Sequence, residues 1–472
     1  MTGSLDFPAL SARTLLAAMA DGRASSAELA AEAARRLDEA HTLTHCIIAR
    51  EVDEALAAAK AVDARRQRGE ALGPLAGLPL AHKDMFDRVG KISSWGARIR
   101  AEKPATTNAT VIEHLQNSGA LQLAALHLTE FAFGPTGHNY VLGHARNPWD
   151  PARITGGSSA GTACAVAMGA IPVGLGSDTA GSLRIPAANC GVTSIKPTWG
   201  RVSRAGAMPL ALCLDTLGFI ARHVEDLALM LEAVAGPDLR DAASAHVPVP
   251  NYLSEITTPV KGIRLGIDAR LISGAHPDMQ ALVERSIVAL LEAGLVKSDC
   301  HFPDWTTMDH LTQAMQLPDA ASAHAAYLMT RPNDYGPQVR ARLEVGHFLA
   351  AVDHMTALRA RGTYLQKTLD QTFANCDVAI LPINADLLPT IAELDVAGSP
   401  QVQQTLARVV KFTRPVNYLG LPTLTLPVPR SGKELPNGVQ IIARPYAESL
   451  LFRIGHAYQR VVPPEIAYRV DQ

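Results

Sequence analysis

Apolar positions along the chain follow one period at the start and another later. Between residues 11 and 68 they recur every three to four positions among Ala, Glu and Arg, the signature of amphipathic helices. Ser11 caps the first, 12–20, with Gly22 as its stop signal. Ser25-Ser26-Ala27-Glu28 is a capping box that opens the second, which runs to about Ala40. The third covers roughly 53–68 and ends at Gly69. After Gly73 the pattern changes to short apolar runs bounded by Gly, Pro and Asn, at 78–82, 121–126, 171–175, 191–196, 262–268, 378–381, 421–427 and 438–442. Such runs predict buried strands. Helical spacing returns at 110–117, 162–168, 224–234 and 448–459, and through most of 278–373, while 237–258 reads as loop. Short strands alternating with helices predict an α/β protein with a central sheet. No repeat, low-complexity tract or linker interrupts the 472 residues, so one domain spanning 1–472 is expected, with a helical segment over 1–70.

Composition narrows the function classes. The chain is 47% hydrophobic and 19% charged with a formal net charge of −2, which implies a large core and no general attraction to nucleic acid or anionic membranes. Six cysteines without a C-x-x-C pair fit neither a disulfide scaffold nor a zinc site, and are expected as small buried hydrophobes in a reducing compartment. The opening MTGSLDFPALSA lacks the basic and apolar regions of a signal peptide. The longest apolar run, 163–176, is broken by Gly169 and Pro172 and is shorter than the ~20 residues that span a bilayer. These features predict a cytoplasmic protein acting on small molecules, without membrane or nucleic-acid partners.

The candidate chemistry lies in two Gly/Ser clusters, Gly156-Gly157-Ser158-Ser159-Ala160-Gly161 and Gly176-Ser177-Asp178-Thr179-Ala180-Gly181-Ser182. Glycine-rich loops of this kind present backbone N–H groups to an anion, and a serine held there has the setting of a nucleophile. Gly176 to Ser182 resembles a P-loop only superficially, because the lysine that reaches the phosphates is missing. Gly157-Ser158-Ser159-Ala160-Gly161 fits G-x-S-x-G, with Ser159 as nucleophile, but 150–155 is not the buried strand such an elbow requires. No metal or dinucleotide motif occurs, so neither metal nor organic cofactor is expected.

Further motifs stand in order around these clusters. They are Lys83-Asp84, Arg146-Asn147-Pro148-Trp149-Asp150, Arg184-Ile185-Pro186 and Lys196-Pro197-Thr198. Together they resemble the amidase signature family of serine hydrolases, over a core of about 77–234 and a weaker match at 414–440. The resemblance implies a large mixed sheet covered by helices on both faces, with the helical region 278–373 on the substrate side. It implies Ser182 as nucleophile, Ser158 as bridging serine, Lys83 as base, and a cis peptide between Gly157 and Ser158. The backbone N–H groups of Thr179, Ala180, Gly181 and Ser182 would form the oxyanion hole, and Phe133 and Gly157 would line the substrate site. Physical chemistry asks for the same parts: a serine needs a base, and lysine becomes one only where burial lowers its pKa. Asp178 is read as structural, ordering its loop, with Arg184 as a candidate partner. Ala160, Thr162, Ala180, Met85, Leu128 and Phe219 depart from common family residues without removing a catalytic group.

The implied activity is hydrolysis of a linear amide, releasing ammonia or an amine, with a homodimer allowed by the resemblance. Three alternatives stand beside it. One is the glutaminase component of a tRNA-dependent amidotransferase, its A subunit. That group carries an aspartate before its Asn-x-x-Gly-Leu-Pro element, where this chain has Val410-Lys411-Phe412-Thr413 before Asn417. The second is a hydrolase of a urea-like carboxylated substrate. The third is a catalytically silent binding protein, which the intact Lys83, Ser158 and Ser182 argue against.

Overall fold

The computed structural model describes residues 6–99, 103–394 and 400–467. Among them, eleven strands form one sheet: β1 Ile47–Arg50, β2 Pro79–Lys83, β3 Leu121–Leu126, β4 Val173–Asp178, β5 Thr193–Lys196, β6 Thr216–Ala221, β7 Arg264–Ile267, β8 Val296–Asp299, β9 Val378–Pro382, β10 Thr423–Pro427 and β11 Gly438–Ala443. Their order is β1-β3-β2-β4-β6-β5-β10-β11-β9-β7-β8. β2 lies parallel to β3 and β4, and β7 to β8 and β9, while the remaining pairs are antiparallel. Every residue of β2, β4, β5, β6, β9 and β11 is buried. Burial without alternation means that helices cover both faces of this mixed sheet.

The first three helices are observed at Ala12–Ala20, Ser26–Thr44 and Val52–Gln67. Ser11 accepts the Thr14 N–H (3.1 Å), and the Asp226 carboxylate takes the N–H groups of Ala12 (2.9 Å) and Arg13 (3.3 Å). Burial pushes the Asp226 carboxyl up to about 7. The Ser25–Glu28 box is formed in both directions, at 3.1 and 2.8 Å.

The sequence pattern misses three strands and several helices, among them Arg184–Cys190, Arg414–Leu419 and the short Tyr252–Glu255 inside the stretch 237–258 read as loop. β1 and β8 sit at the two sheet edges, where a strand needs one neighbour and can be short and polar. Gly218 in the middle of β6 masks that strand, since glycine weakens a strand signal. Helix Arg184–Cys190 contains Pro186, which sits in the first turn, where no intrahelical N–H partner is lost. The predicted strand 191–196 shortens to β5 accordingly.

Between 278 and 373 the chain is mainly helical, as expected, with Pro337–Gly346 and Ala351–Gln371 both packed on Trp305–Thr330. Pro318 lies inside the first of these and cannot donate to Ala314 O. The His354 ring Nδ1–H does so instead, from the third helix, at 3.1 Å. Among the described residues, no helix is long and apolar enough to cross a membrane.

Candidate active site

β2 and β4 are neighbouring parallel strands, with Ala81 opposite Gly174 and His82 opposite Leu175. Their carboxyl ends therefore deliver Lys83 and Ser177-Asp178 side by side, below the loop that carries Ser158. Lys83 is fully buried, and its Nζ contacts Ser158 Oγ at 2.7 Å and Ser177 Oγ at 2.8 Å. Burial lowers its pKa from 10.5 to about 7, opposed only in part by Asp178 and Asp215. Asp84, the next residue, is not its partner. That carboxylate accepts the Ser94 N–H (2.9 Å) and the Ser94 hydroxyl.

The loop after β4 is built on Asp178. Its carboxylate accepts from Gly181 N–H (2.8 Å) and Leu183 N–H (3.1 Å), and from Arg184 Nε and Nη2 (both 3.0 Å). Asn417 Nδ2 adds a further bond to it at 2.8 Å, while Arg184 Nη1 reaches Gln440 at 2.7 Å. Burial alone would raise the Asp178 pKa, but the Arg184 guanidinium beside it holds the carboxyl well below the usual range. An ion pair this enclosed is fixed in geometry, and breaking it by removing one partner is costly. Asp178 thus orders the loop, as its sequence setting suggested.

The same bond corrects one expectation. With φ at +123° and its N–H committed to Asp178 Oδ1, Gly181 does not offer that donor to a substrate. Among the described residues, no intramolecular acceptor takes the N–H groups of Thr179, Ala180 or Ser182. Three of the four expected donors therefore remain open. A side chain at Gly181 is excluded as well, since a Cβ would lie 2.6 Å from Thr413 Oγ1.

The peptide between Gly157 and Ser158 is cis. A Cβ at Gly157 would meet Thr129 Oγ1 at 2.6 Å and both Gly134 O and Gly137 N at 2.8 Å, so only glycine fits there. Ser159 N–H donates to Ser182 O at 3.2 Å, joining the two clusters. Ser159 itself is fully buried, and its hydroxyl donates to Ser177 O in β4 at 3.2 Å. Its G-x-S-x-G pattern does not place a serine at the surface of a cleft.

Ser182 opens onto a cavity of about 630 Å³ that Ala180, Gly157 and Phe133 also line. Gln316 and Leu317 come from helix Trp305–Thr330, and Ala341 and Arg342 from helix Pro337–Gly346. Val410 and Arg414 complete the side that carries the late motif. Among the described residues, the lining includes no carboxylate. Arg342 Nη1 donates to Phe133 O at 3.0 Å with its guanidinium 5.7 Å from the Phe133 ring centre, and burial lowers its pKa to about 10. Arg414 is shared with Asp309 at 3.4 Å.

Ser177 is the site residue that sequence reasoning passed over, because Gly-Ser-Asp reads as a turn. Its hydroxyl is the second acceptor of Lys83 Nζ and fixes where the amine points. Ser177→Ala is expected to lower kcat by about 10–100-fold, the equivalent of one hydrogen bond to a charged or titrating group, with KM nearly unchanged. Steady-state kinetics of both proteins above pH 8, beyond the value near 7 about which Lys83 of the wild type titrates, checks this.

Residues 28–452 match the protein-family model described as Amidase. The A subunit of the glutamyl-tRNA(Gln) amidotransferase of Chloroflexus aurantiacus is 35% identical over 471 residues, which cover 94% of this chain and 95% of that protein. Its namesake from Moorella thermoacetica is 36% identical over 465 residues, covering 92% and 93%. A solved structure, described as an unexpected vestigial protein complex that reveals the evolutionary origins of an s-triazine catabolic enzyme, matches with a TM-score of 0.88. It is 32% identical, and the match covers 97% of this chain and 100% of that one.

Proposed function

The chain belongs to the amidase family, and on that premise we propose that it hydrolyses the C–N bond of a small linear amide through an acyl-enzyme on Ser182. The observation that carries this reading is the 2.7 Å contact of a buried, pKa-lowered Lys83 with Ser158, beside a cavity that Ser182 lines. Neutral Lys83 Nζ takes the Ser158 proton while Ser158 Oγ takes that of Ser182. Ser182 Oγ then bonds to the amide carbon, and the open N–H groups of Thr179, Ala180 and Ser182 receive the negative charge that develops on oxygen. Collapse breaks the C–N bond as the proton returns through Ser158 to the leaving nitrogen. Water, deprotonated along the same path, releases the acid and restores Ser182.

The cavity also bears on substrate class. Among the described residues it presents Arg342 and Arg414, apolar walls and no carboxylate, a setting that favours an amide or urea-like molecule carrying a carboxylate over one carrying an ammonium group. Arg342→Met is expected to raise KM for carboxylated amides at least about tenfold more than for uncharged amides of the same size, by removing the charge partner. Ammonia release from a panel of charged and neutral amides tests both the activity and this preference.

A second reading draws on the relatives that are A subunits of glutamyl-tRNA(Gln) amidotransferases: a glutaminase feeding ammonia to a partner. Glutamine carries an ammonium group as well as a carboxylate, and Val410 lines the cavity in the segment where that group has an aspartate. Glutamine hydrolysis appearing only with co-expressed partner proteins would favour this second reading.

A further inference from the structure

Two parts of the cavity wall are tied together by a buried carboxylate that the proposed chemistry does not use. The turn Glu130–Ala132 leads into Ala132, Phe133 and Gly134, which line one part of the wall. Helix Pro337–Gly346 supplies Pro337, Gln338, Ala341, Arg342 and Val345 to another. Glu130 is 1% exposed, and its two carboxylate oxygens accept the Gly336 N–H at 3.2 and 2.9 Å. Gly336 is the N-cap of that helix, and its own residue offers no side-chain cap. A carboxylate there meets both the unpaired N–H and the positive end of the helix dipole.

The tie is reinforced on both sides. Arg342, one and a half turns into the helix, donates to Phe133 O at 3.0 Å. Phe131 packs edge-on against His324, with ring centres 4.4 Å apart, and against Tyr335 at 5.2 Å. His324 and Tyr335 are themselves joined at 3.1 Å. Phe131 and Ala132 hold φ values of +52° and +54°, a left-handed conformation that non-glycine residues adopt only where surroundings enforce it. Burial pushes the Glu130 carboxyl up to about 7, with the Gly336 N–H opposing it. An apolar residue at that position would carry no such burden.

We infer that Glu130 is a positioning residue for the acyl cavity: its carboxylate pins the start of helix 337–346 to the turn 130–132 and so sets the separation of two substrate-lining walls. The inference rests on reading this cavity as the substrate site. It assigns Glu130 no contact with the reacting atoms. Loss of the pin should therefore weaken binding of an acyl group that fills the cavity, while leaving the chemistry at Ser182 intact.

Glu130→Ala and Gly336→Ala attack the pin from its two ends, since a Cβ at Gly336 would lie 2.6 Å from Glu130 Oε2. Two probes separate binding from chemistry: decyl fluorophosphonate, which must occupy the cavity, and ethyl fluorophosphonate, which need not. Both variants are expected to raise the KI of the decyl probe about tenfold, the loss of one helix cap, at unchanged maximal labelling rate. The ethyl probe should react at the wild-type rate. Amide hydrogen exchange at 336 and over 338–342 should accelerate by a similar factor, and Glu130→Gln, which keeps an acceptor oxygen, should recover most of both effects. Unchanged exchange and unchanged decyl KI in the two alanine variants would overturn the inference, as would equal slowing of both probes. Failure of wild-type protein to react with either probe would defeat the Ser182 reading instead, and exchange alone would then decide the pin.

Discussion

Ser182→Ala is expected to lower kcat by about a millionfold, the loss seen when a serine nucleophile is removed from a coupled catalytic unit. Ser159→Ala should behave differently, although Ser159 is the serine at the centre of the G-x-S-x-G pattern. Its hydroxyl donates to Ser177 O and lies close to Ser177 N–H (3.4 Å), inside the protein. Removing it costs a buried hydrogen bond, about 1–3 kcal/mol of stability, and leaves the nucleophile in place. Kinetics and thermal unfolding on the two variants separate these outcomes: one loses activity with little change in Tm, the other loses Tm and keeps activity.

Lys83→Met is expected to abolish turnover and to stabilise the protein. The base must be neutral, so kcat/KM of the wild type should rise about tenfold per pH unit below about 7 and level off above it. The stability sign follows from the same shift. In the unfolded chain the lysine titrates near 10.5, in the folded one near 7, so unfolding takes up a proton between those values. Stability of the wild type therefore rises with pH across that window, and below about pH 7 the full penalty of the buried amine is present. Methionine carries no such penalty. The gain at neutral pH is bounded by roughly 4–5 kcal/mol, less what the lost contacts with Ser158 and Ser177 contributed. A denaturant titration at pH 7 and at pH 10 checks this: the difference between Lys83→Met and wild type should shrink at the higher pH. On the proposed role of Lys83, activity would be held at the expense of stability, as is common where a charged group must sit in an apolar setting.

The parts of the site legible in the sequence are those whose chemistry is local. Lys83 is placed by the family resemblance, and its setting at the end of an apolar run suits the role: the four residues of β2 before it are all buried. The role of Asp178 was legible because a short acid in a Gly/Ser loop bonds to nearby backbone N–H groups, here Gly181 and Leu183. What could not be read was direction. Whether the Gly181 N–H faces the substrate or Asp178 depends on a φ of +123°, which glycine permits but does not dictate. Ser177 escaped because its partner, Lys83, lies 94 residues away and meets it only when β2 and β4 pair in parallel.

The same contrast holds for the fold. Central strands such as β3, β9 and β11 announced themselves as apolar runs, whereas the edge strand β8, Val-Lys-Ser-Asp, did not, and β1 at the other edge is a four-residue strand between two helices. The cavity beside Ser182 is the least legible part. Phe133, Gln316, Arg342 and Val410 reach it from four separate segments, and no periodicity within any one of them points to the others.

The most direct measurement is the site of covalent labelling. Wild-type protein treated with an alkyl fluorophosphonate and mapped by peptide mass spectrometry should carry one phosphonyl group on Ser182, with labelling lost in Ser182→Ala and retained in Ser159→Ala. An adduct on Ser159, or folded protein that takes up no phosphonyl group, would contradict the account.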